Sequence, residues 1–408
     1  MTRLALMVFI GSAAWLAYVY AGYPICLWFL ALFRRVPHVA DDSFLPPVSV
    51  LIAARNEEKD IGWKVQQTLA WDYPRDRLQV LVASDASDDR TDEVLRGISD
   101  PRLVYVRMPE RGGKVRALNH LARLATGELL FFTDANSDIS AEALRRMVRH
   151  FADPRVGCVT GVDRTAPEDD QSAIGSGEST YWTYELKIDE LESRLGSVLV
   201  CFGAIHCIRR ELYRDCDPDL ANDLEVPIRI GAAGRLLVFE PDAVSTEKAT
   251  KSPVEEFKRR RRICGQGALG FWRLRRQLRG LRAWQFLSRK FLRWLALVPL
   301  AGCLLGTVLL AFAYPWMHVL LACQAACYLA GAVGYATALR GRNPGRLFAI
   351  PLYFILVNTA AFLGVLDACR GRTYAVWKVA SLTRGKLSPS AAPQPAESDV
   401  LARKTSAS

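Results

Sequence analysis

A short run of residues that ends in carboxylates offers the first chemistry in this chain. Leu129-Leu130-Phe131-Phe132-Thr133 passes directly into Asp134-Ala135-Asn136-Ser137-Asp138. Four consecutive apolar side chains, two of them aromatic, read as a buried strand too short to be a helix with its own face. A carboxylate at the carboxyl end of such a strand stands where open α/β sheets bind their ligands. Hard divalent cations take oxygen ligands, and Mg²⁺ usually combines one or two carboxylates with substrate phosphates. Asp134 is therefore a candidate metal ligand. An ordinary strand-to-turn junction, where Asp and Asn are common, accounts for the same run.

The elements that would position this turn lie upstream. After Pro46-Pro47, residues 48–54 (VSVLIAA) read as a buried strand that leads into Arg55-Asn56-Glu57-Glu58. A helical pattern follows to about Trp71, where Asp72-Tyr73-Pro74 breaks it. Residues 78–83 form a second strand, which ends in Ser84-Asp85-Ala86-Ser87-Asp88-Asp89. A helix to about Gly97, a strand at 103–106, then Gly112-Gly113-Lys114 and a helix to about Ala125 complete the series. Strands alternating with helices of ten to fifteen residues predict a parallel α/β sheet.

The composition is that of a membrane protein with a large water-soluble insert. Of 408 residues, 50% are hydrophobic and 23% charged, with the apolar blocks at the two ends. The net charge of +11 clusters beside apolar segments, as the positive-inside rule places it. No finger, helix-turn-helix or comparable module accompanies it, so nucleic acid is not an expected partner. Ten scattered cysteines without a CxxC suggest neither a zinc site nor a disulfide framework, and packing is the expected role of Cys323 and Cys327.

The ordered set of motifs resembles a membrane-bound family-2 glycosyltransferase of the polysaccharide-synthase type, with a GT-A (Rossmann-like) nucleotide-sugar fold inserted between transmembrane helices. Asn56-Glu57, Ser84 to Asp89, Gly113-Lys114 and Thr133-Asp134-Ala135-Asn136 stand in that family's order. Downstream, Tyr181-Trp182-Thr183-Tyr184-Glu185, Glu192 to Ser197, Gly203-Ala204 and Ile208-Arg209-Arg210 are similar to its acceptor half. Asn222-Asp223 holds the place of its catalytic acidic pair, and residues 259–262 are similar to its Gln/Arg-rich motif. The resemblance covers about residues 1 to 370.

The resemblance implies roles. Asp134 and Asn136 would hold Mg²⁺ or Mn²⁺. The family's second carboxylate is Asn here, which brings an oxygen but no charge, and Asp138 stands nearby. Asp85 matches the contact to the nucleotide base, with Glu57 and Asp89 on the loops beside it. Compensation of a helix N-terminus is the alternative for Glu57. Lys114 would reach phosphate or base, or stand solvated at a helix start. Asp223 would be the general base of an inverting transfer, or else a helix N-cap. Glu225 reads as a first-turn carboxylate. Arg260 and Arg262 match the arginines that grip the leaving diphosphate, with a lipid-facing basic patch as the alternative. Ile263 replaces the family's aromatic. His206 reads as a packed histidine.

Four regions follow: a membrane helix within residues 1–35, a glycosyltransferase domain at 45–275, membrane elements at 280–370, and a tail at 371–408. The first apolar run, 4–33, is too long for a signal-peptide core and can span a bilayer. Arg34 and Arg35 after it place the domain in the cytoplasm and the protein in the inner (plasma) membrane. Residues 281–294 read as an amphipathic helix at the membrane interface, with Arg282, Arg289, Lys290 and Arg293 on its polar face. Three spans are expected near 295–314, 316–339 and 347–369. They would put the tail outside, against its basic residues Arg370, Arg372, Lys378 and Arg384. From about Leu387 the composition is that of a disordered segment. The expected partners are a nucleotide-sugar donor, UDP by resemblance, a polysaccharide or lipid acceptor, and membrane lipids. Two rivals stand beside the polymer reading. One is a ceramide-type glycolipid glucosyltransferase. The other is a non-catalytic sugar- or nucleotide-binding subunit of an export complex, against which intact Asp85, Asp134 and Asp223 argue.

Overall fold

The structure, a computed structural model, describes residues 2–165, 175–247 and 252–374. Its centre is a sheet built from β1 (Val48–Ala54), β2 (Leu78–Ser84), β3 (Leu103–Arg107), β4 (Leu129–Asp134), β5 (Asp138–Ile139), β6 (Val156–Thr165), β7 (His206–Arg209) and β8 (Leu236–Glu247). The strand order is β3-β2-β1-β4-β7-β6-β8-β5.

Every residue of β1 is buried, because the strand is covered on both faces, as parallel strands are. Alternation along it feeds two cores. Val48, Val50 and Ile52 pack with Ile61 and Val65 of the helix Ile61–Leu69. Leu51 and Ala53 pack with Val115, Leu118 and Leu121 of the helix Lys114–Leu124 on the other side.

Strands β3, β2, β1 and β4 are parallel, so their carboxyl ends share one edge. Ala53 pairs with Asp134 and Ala54 with Ser84, which sets Arg55, Asp85 and Asp134 side by side at that edge. The far half of the sheet departs from the parallel expectation. β7 runs antiparallel to both β4 and β6, while β8 is parallel to β6. The result is a mixed sheet of the GT-A type, as the motif order implied.

The helix Thr2–Phe33 is long and apolar enough to cross a membrane, and so are Met317–Leu339 and Gly345–Cys369. A fourth crossing arises if Gly280–Trp294 and Leu297–Ala311, bent by 57°, act as one. The segment expected at the membrane interface docks its arginines on a neighbouring helix. Arg289 is buried against Glu185 (3.0 Å), Asp189 (2.6 Å) and Glu192 (2.8 Å) of the helix Gly175–Arg194, and Arg293 bonds Glu185 at 2.5 Å. Tyr23 of the first helix donates to Glu192 at 2.6 Å. Three carboxylates at helical spacing on a neighbouring element captured the arginines, which periodicity within one segment could not reveal.

The last helix also lies differently from a simple span. Its Asp367 bonds Arg261 of the basic helix Pro253–Leu274 at 2.6 and 2.9 Å, and Arg372 bonds Asp367 at 3.1 Å. Arg372 therefore lies beside the basic helix of the sheet domain. Lys378, Arg384 and the segment from Leu387 lie outside the described residues. Cys323 and Cys327 are exposed on their helix rather than packed.

Candidate active site

The site forms where the loops after β1, β2 and β4 meet the start of the helix Asn222–Ala232. The first two loops are stitched together. Arg55 donates to the carbonyls of Asp85 (2.6 Å) and Ala86 (2.5 Å) and to the Asp88 carboxylate (2.6 Å). The amide of Asp88 bonds the Asn56 side chain at 2.8 Å. Asn56 and Ala86 both have positive φ, at 53° and 50°. A left-handed alanine is disfavoured, and such strain persists only where surroundings hold it.

Asp85 is buried, and both its oxygens accept backbone bonds, from Gly112 at 2.6 Å and Gly113 at 2.9 Å. It thereby fixes the turn that launches Lys114, with Gly113 at φ 87°. Asp89 accepts from the amides of Glu58 (3.1 Å) and Thr91 (3.0 Å) and from the Thr91 hydroxyl. The Glu57 amide donates to Thr91 Oγ1 at 2.8 Å. The Asp89 carboxylate thus shapes the loop pair. Asp88, largely exposed, pairs with Arg55.

Lys114 ion-pairs with Asp134 and is not a solvated helix-start residue. Burial works against its charge, but Asp134, then Asp223 and Glu247, outweigh burial and hold the ammonium above its ordinary range. Asp223 joins this pair. A Cβ built on Gly203 would stand 3.2 Å from Asp223 Oδ2 and 3.7 Å from Lys114 Nζ, so the glycine keeps the gap between them open. Burial raises the Asp223 carboxyl; Lys114 pulls it back, Asp134 raises it further, and Arg262 and Lys290 lower it. Asp223 is not the N-cap. The helix begins at Asn222 with Ala221 in the cap position, and Asp223 sits in the first turn. Glu225, by contrast, is fully buried and bonds Arg229 and the amide of Asp217.

The basic helix has two faces. Arg260 is buried and bonds Glu256 (2.5 Å) and the Tyr353 hydroxyl (2.7 Å), with its guanidinium 5.5 Å from the Trp182 ring. These contacts fasten the basic helix to the last one. Arg262 feels Asp223 and Asp134 after burial and Arg259, and donates to Gln266 at 3.3 Å. Arg259 in turn acts on Asp163 and Glu247. Residues 259, 262 and 266 share one helical side.

Asp163 and Glu247 were missed. They end β6 and β8, and burial raises both carboxyls. Asp163 Oδ1 is buried with no hydrogen-bond partner among the described residues. No motif marks them; only the parallel pairing of β6 with β8 brings them toward Asp134. Asp138 is drawn off by Gln67. His206 is packed as expected, stacked on Phe132 at 4.5 Å, and burial pushes it down to about 4.

Asp134 and Asn136 fit a divalent cation that takes its remaining ligands from phosphate and water. A cation, the Lys114 ammonium, already sits on Asp134. Among the described residues no group of three His, Cys, Asp or Glu side chains forms a ready-made metal cage.

Comparison with known proteins bears on this geometry. A family model described as glycosyltransferase like family 2 matches residues 46–265. A beta-monoglucosyldiacylglycerol synthase of Synechocystis sp. is 32% identical over 182 residues, covering 42% of this chain and 36% of that protein. An N-acetylglucosaminyltransferase of Rhizobium meliloti is 27% identical over 217 residues, covering 49% and 50%. The match thus spans half or less of the length of these relatives. The mannosyltransferase PcManGT of Pyrobaculum calidifontis, solved with GDP-Man and Mn2+, superposes with a TM-score of 0.68 at 24% identity, over 90% of this chain and 99% of that one. At that identity the likeness concerns the fold.

Proposed function

The chain belongs to glycosyltransferase family 2, and from that premise we propose that it moves a sugar, with inversion, from a nucleoside diphosphate (UDP) onto a growing polysaccharide at the cytoplasmic face of the inner membrane. The observation that supports this reading is the gap at Gly203, which sets the Asp223 carboxylate next to the Lys114–Asp134 pair. A base and a phosphate-binding cation site thus flank one opening.

In this reading an acceptor hydroxyl attacks the anomeric carbon while the bond to the diphosphate oxygen breaks. The hydroxyl proton passes to Asp223, and the electron pair leaves with the diphosphate. Asp134 and Asn136 would hold Mg²⁺ or Mn²⁺, which neutralises the leaving charge. Lys114 and Arg262 add fixed positive charge beside it. Asp85 acts by setting the Gly112-Gly113 turn and has lone pairs left for a donor's base.

A glycolipid acceptor is the second reading, favoured by the Synechocystis relative's name. The 181–197 segment argues less for polymer than its motifs implied, since Glu185, Asp189 and Glu192 dock the segment Gly280–Trp294. Membranes carrying the chain, given a panel of radiolabelled nucleotide sugars, separate the readings. Label in polymer supports the first, and label in the lipid extract supports the second. No incorporation from any donor overturns both.

A further inference from the structure

Lys64 has no exposed surface, although it is a lysine in the middle of the helix Ile61–Leu69. Its ammonium fits beneath the turn that follows β4. Nζ lies 2.9 Å from Thr133 Oγ1, 2.7 Å from the Ser137 carbonyl and 3.3 Å from Ser137 Oγ. Those two hydroxyls are 3.1 Å apart, and Ser137 Oγ donates to the Asp134 carbonyl at 2.9 Å. One turn further along the helix, Gln67 donates to the Ile139 carbonyl at 3.0 Å. The 133–137 turn is thus pinned at both ends to one helix.

A buried ammonium is costly unless its donors are satisfied. A methionine would fill a similar volume, but it would leave the oxygens of Thr133 and Ser137 without this donor. The side chain therefore serves as a hydrogen-bond donor and not only as packing volume. What it holds is the turn carrying Asp134 and Asn136.

We propose that Lys64 is a positioning residue, a buried amino group whose hydrogen bonds set the geometry of the metal-binding turn without touching metal or substrate. The inference rests on the reading of Asp134 and Asn136 as the cation site. Partners that orient metal ligands from behind are typically worth about 10–100-fold in metal affinity.

The test uses the full chain in detergent with UDP as probe, and measures Mn²⁺ affinity from the electron paramagnetic resonance signal of free Mn²⁺. UDP binding in EDTA and the melting temperature are measured alongside. Lys64→Met should weaken Mn²⁺ binding by about tenfold or more, with UDP binding in EDTA unchanged, and Lys64→Arg should recover part of the loss. Asp134→Asn is the control. Loss there with parent-like Mn²⁺ affinity in Lys64→Met overturns the inference alone. Parent-like affinity in Asp134→Asn overturns the cation site and the inference with it. Should Lys64→Met not fold, Thr133→Val removes one of the ammonium's partners and keeps the charge. Weakened Mn²⁺ binding in that variant supports the inference, and parent-like binding overturns it.

Discussion

Lys114 occupies Oδ1 of Asp134, so a divalent cation bound there would share the carboxylate with that ammonium or displace it. Two substitutions probe the exchange. Asp134→Ala should abolish transfer and the metal-dependent part of nucleotide binding, whereas Asn136→Asp should retain activity because it adds a second carboxylate. Titration calorimetry with and without EDTA reads the first, and initial rates read the second. Asp223 makes a prediction with a sign. Burial raises its carboxyl, so the base form is lost on the acid side at a higher pH than for an ordinary carboxylate. Arg262 lowers that pKa, so Arg262→Met should move the acid limb of kcat/KM to higher pH. A limb that stays put or moves down means that Arg262 does not act on the base. At this scale Asp134, Lys114 and Asp223 were legible as residue types at the ends of strands and the start of a helix. Asp163 and Glu247 were not, because a carboxylate late in a strand carries no signal until the strand pairing is known.

The basic helix Pro253–Leu274 shows what an element adds. Four consecutive arginines fix composition but not phase, and phase follows from what the helix packs against. Tyr353, Trp182 and Glu256 take Arg260, and Asp367 takes Arg261, which leaves Arg259 and Arg262 for the acidic edge. Arg260→Ala should therefore lower stability, by about 3–5 kcal/mol for breaking a buried pair, read as a fall in melting temperature. Arg262→Ala should leave melting nearly unchanged and slow transfer by about 10²–10³, the usual worth of a donor to developing charge. The reverse pattern would return Arg260 to the diphosphate. The same limit applies to the segment Gly280–Trp294. Its arginines are visible in the sequence, but their partners lie about a hundred residues away on the helix Gly175–Arg194.

For the whole molecule, the parallel half of the sheet follows from the continuous apolar runs of β1, β2 and β4, buried on both faces, and from the helices between them. The antiparallel half does not, because β7 is four residues long and lies in a segment rich in small side chains. The Arg261–Asp367 pair ties the end of the last helix to the domain, so reporters placed after Arg35 and after Tyr374 should lie on the same side, the cytoplasmic one. Finding the Arg35 junction outside would end the glycosyltransferase reading as stated. The central claim, that a donor bound at the Lys114–Asp134 edge is transferred with Asp223 as base, is tested most directly by Asp223→Asn in the full chain reconstituted in bilayers. Asn keeps the shape at a first-turn position that makes no cap bond. The account predicts a folded protein that binds the donor like the parent yet transfers at least about a hundredfold slower, the lower end of what general-base catalysis contributes. Transfer at the parent rate would contradict it.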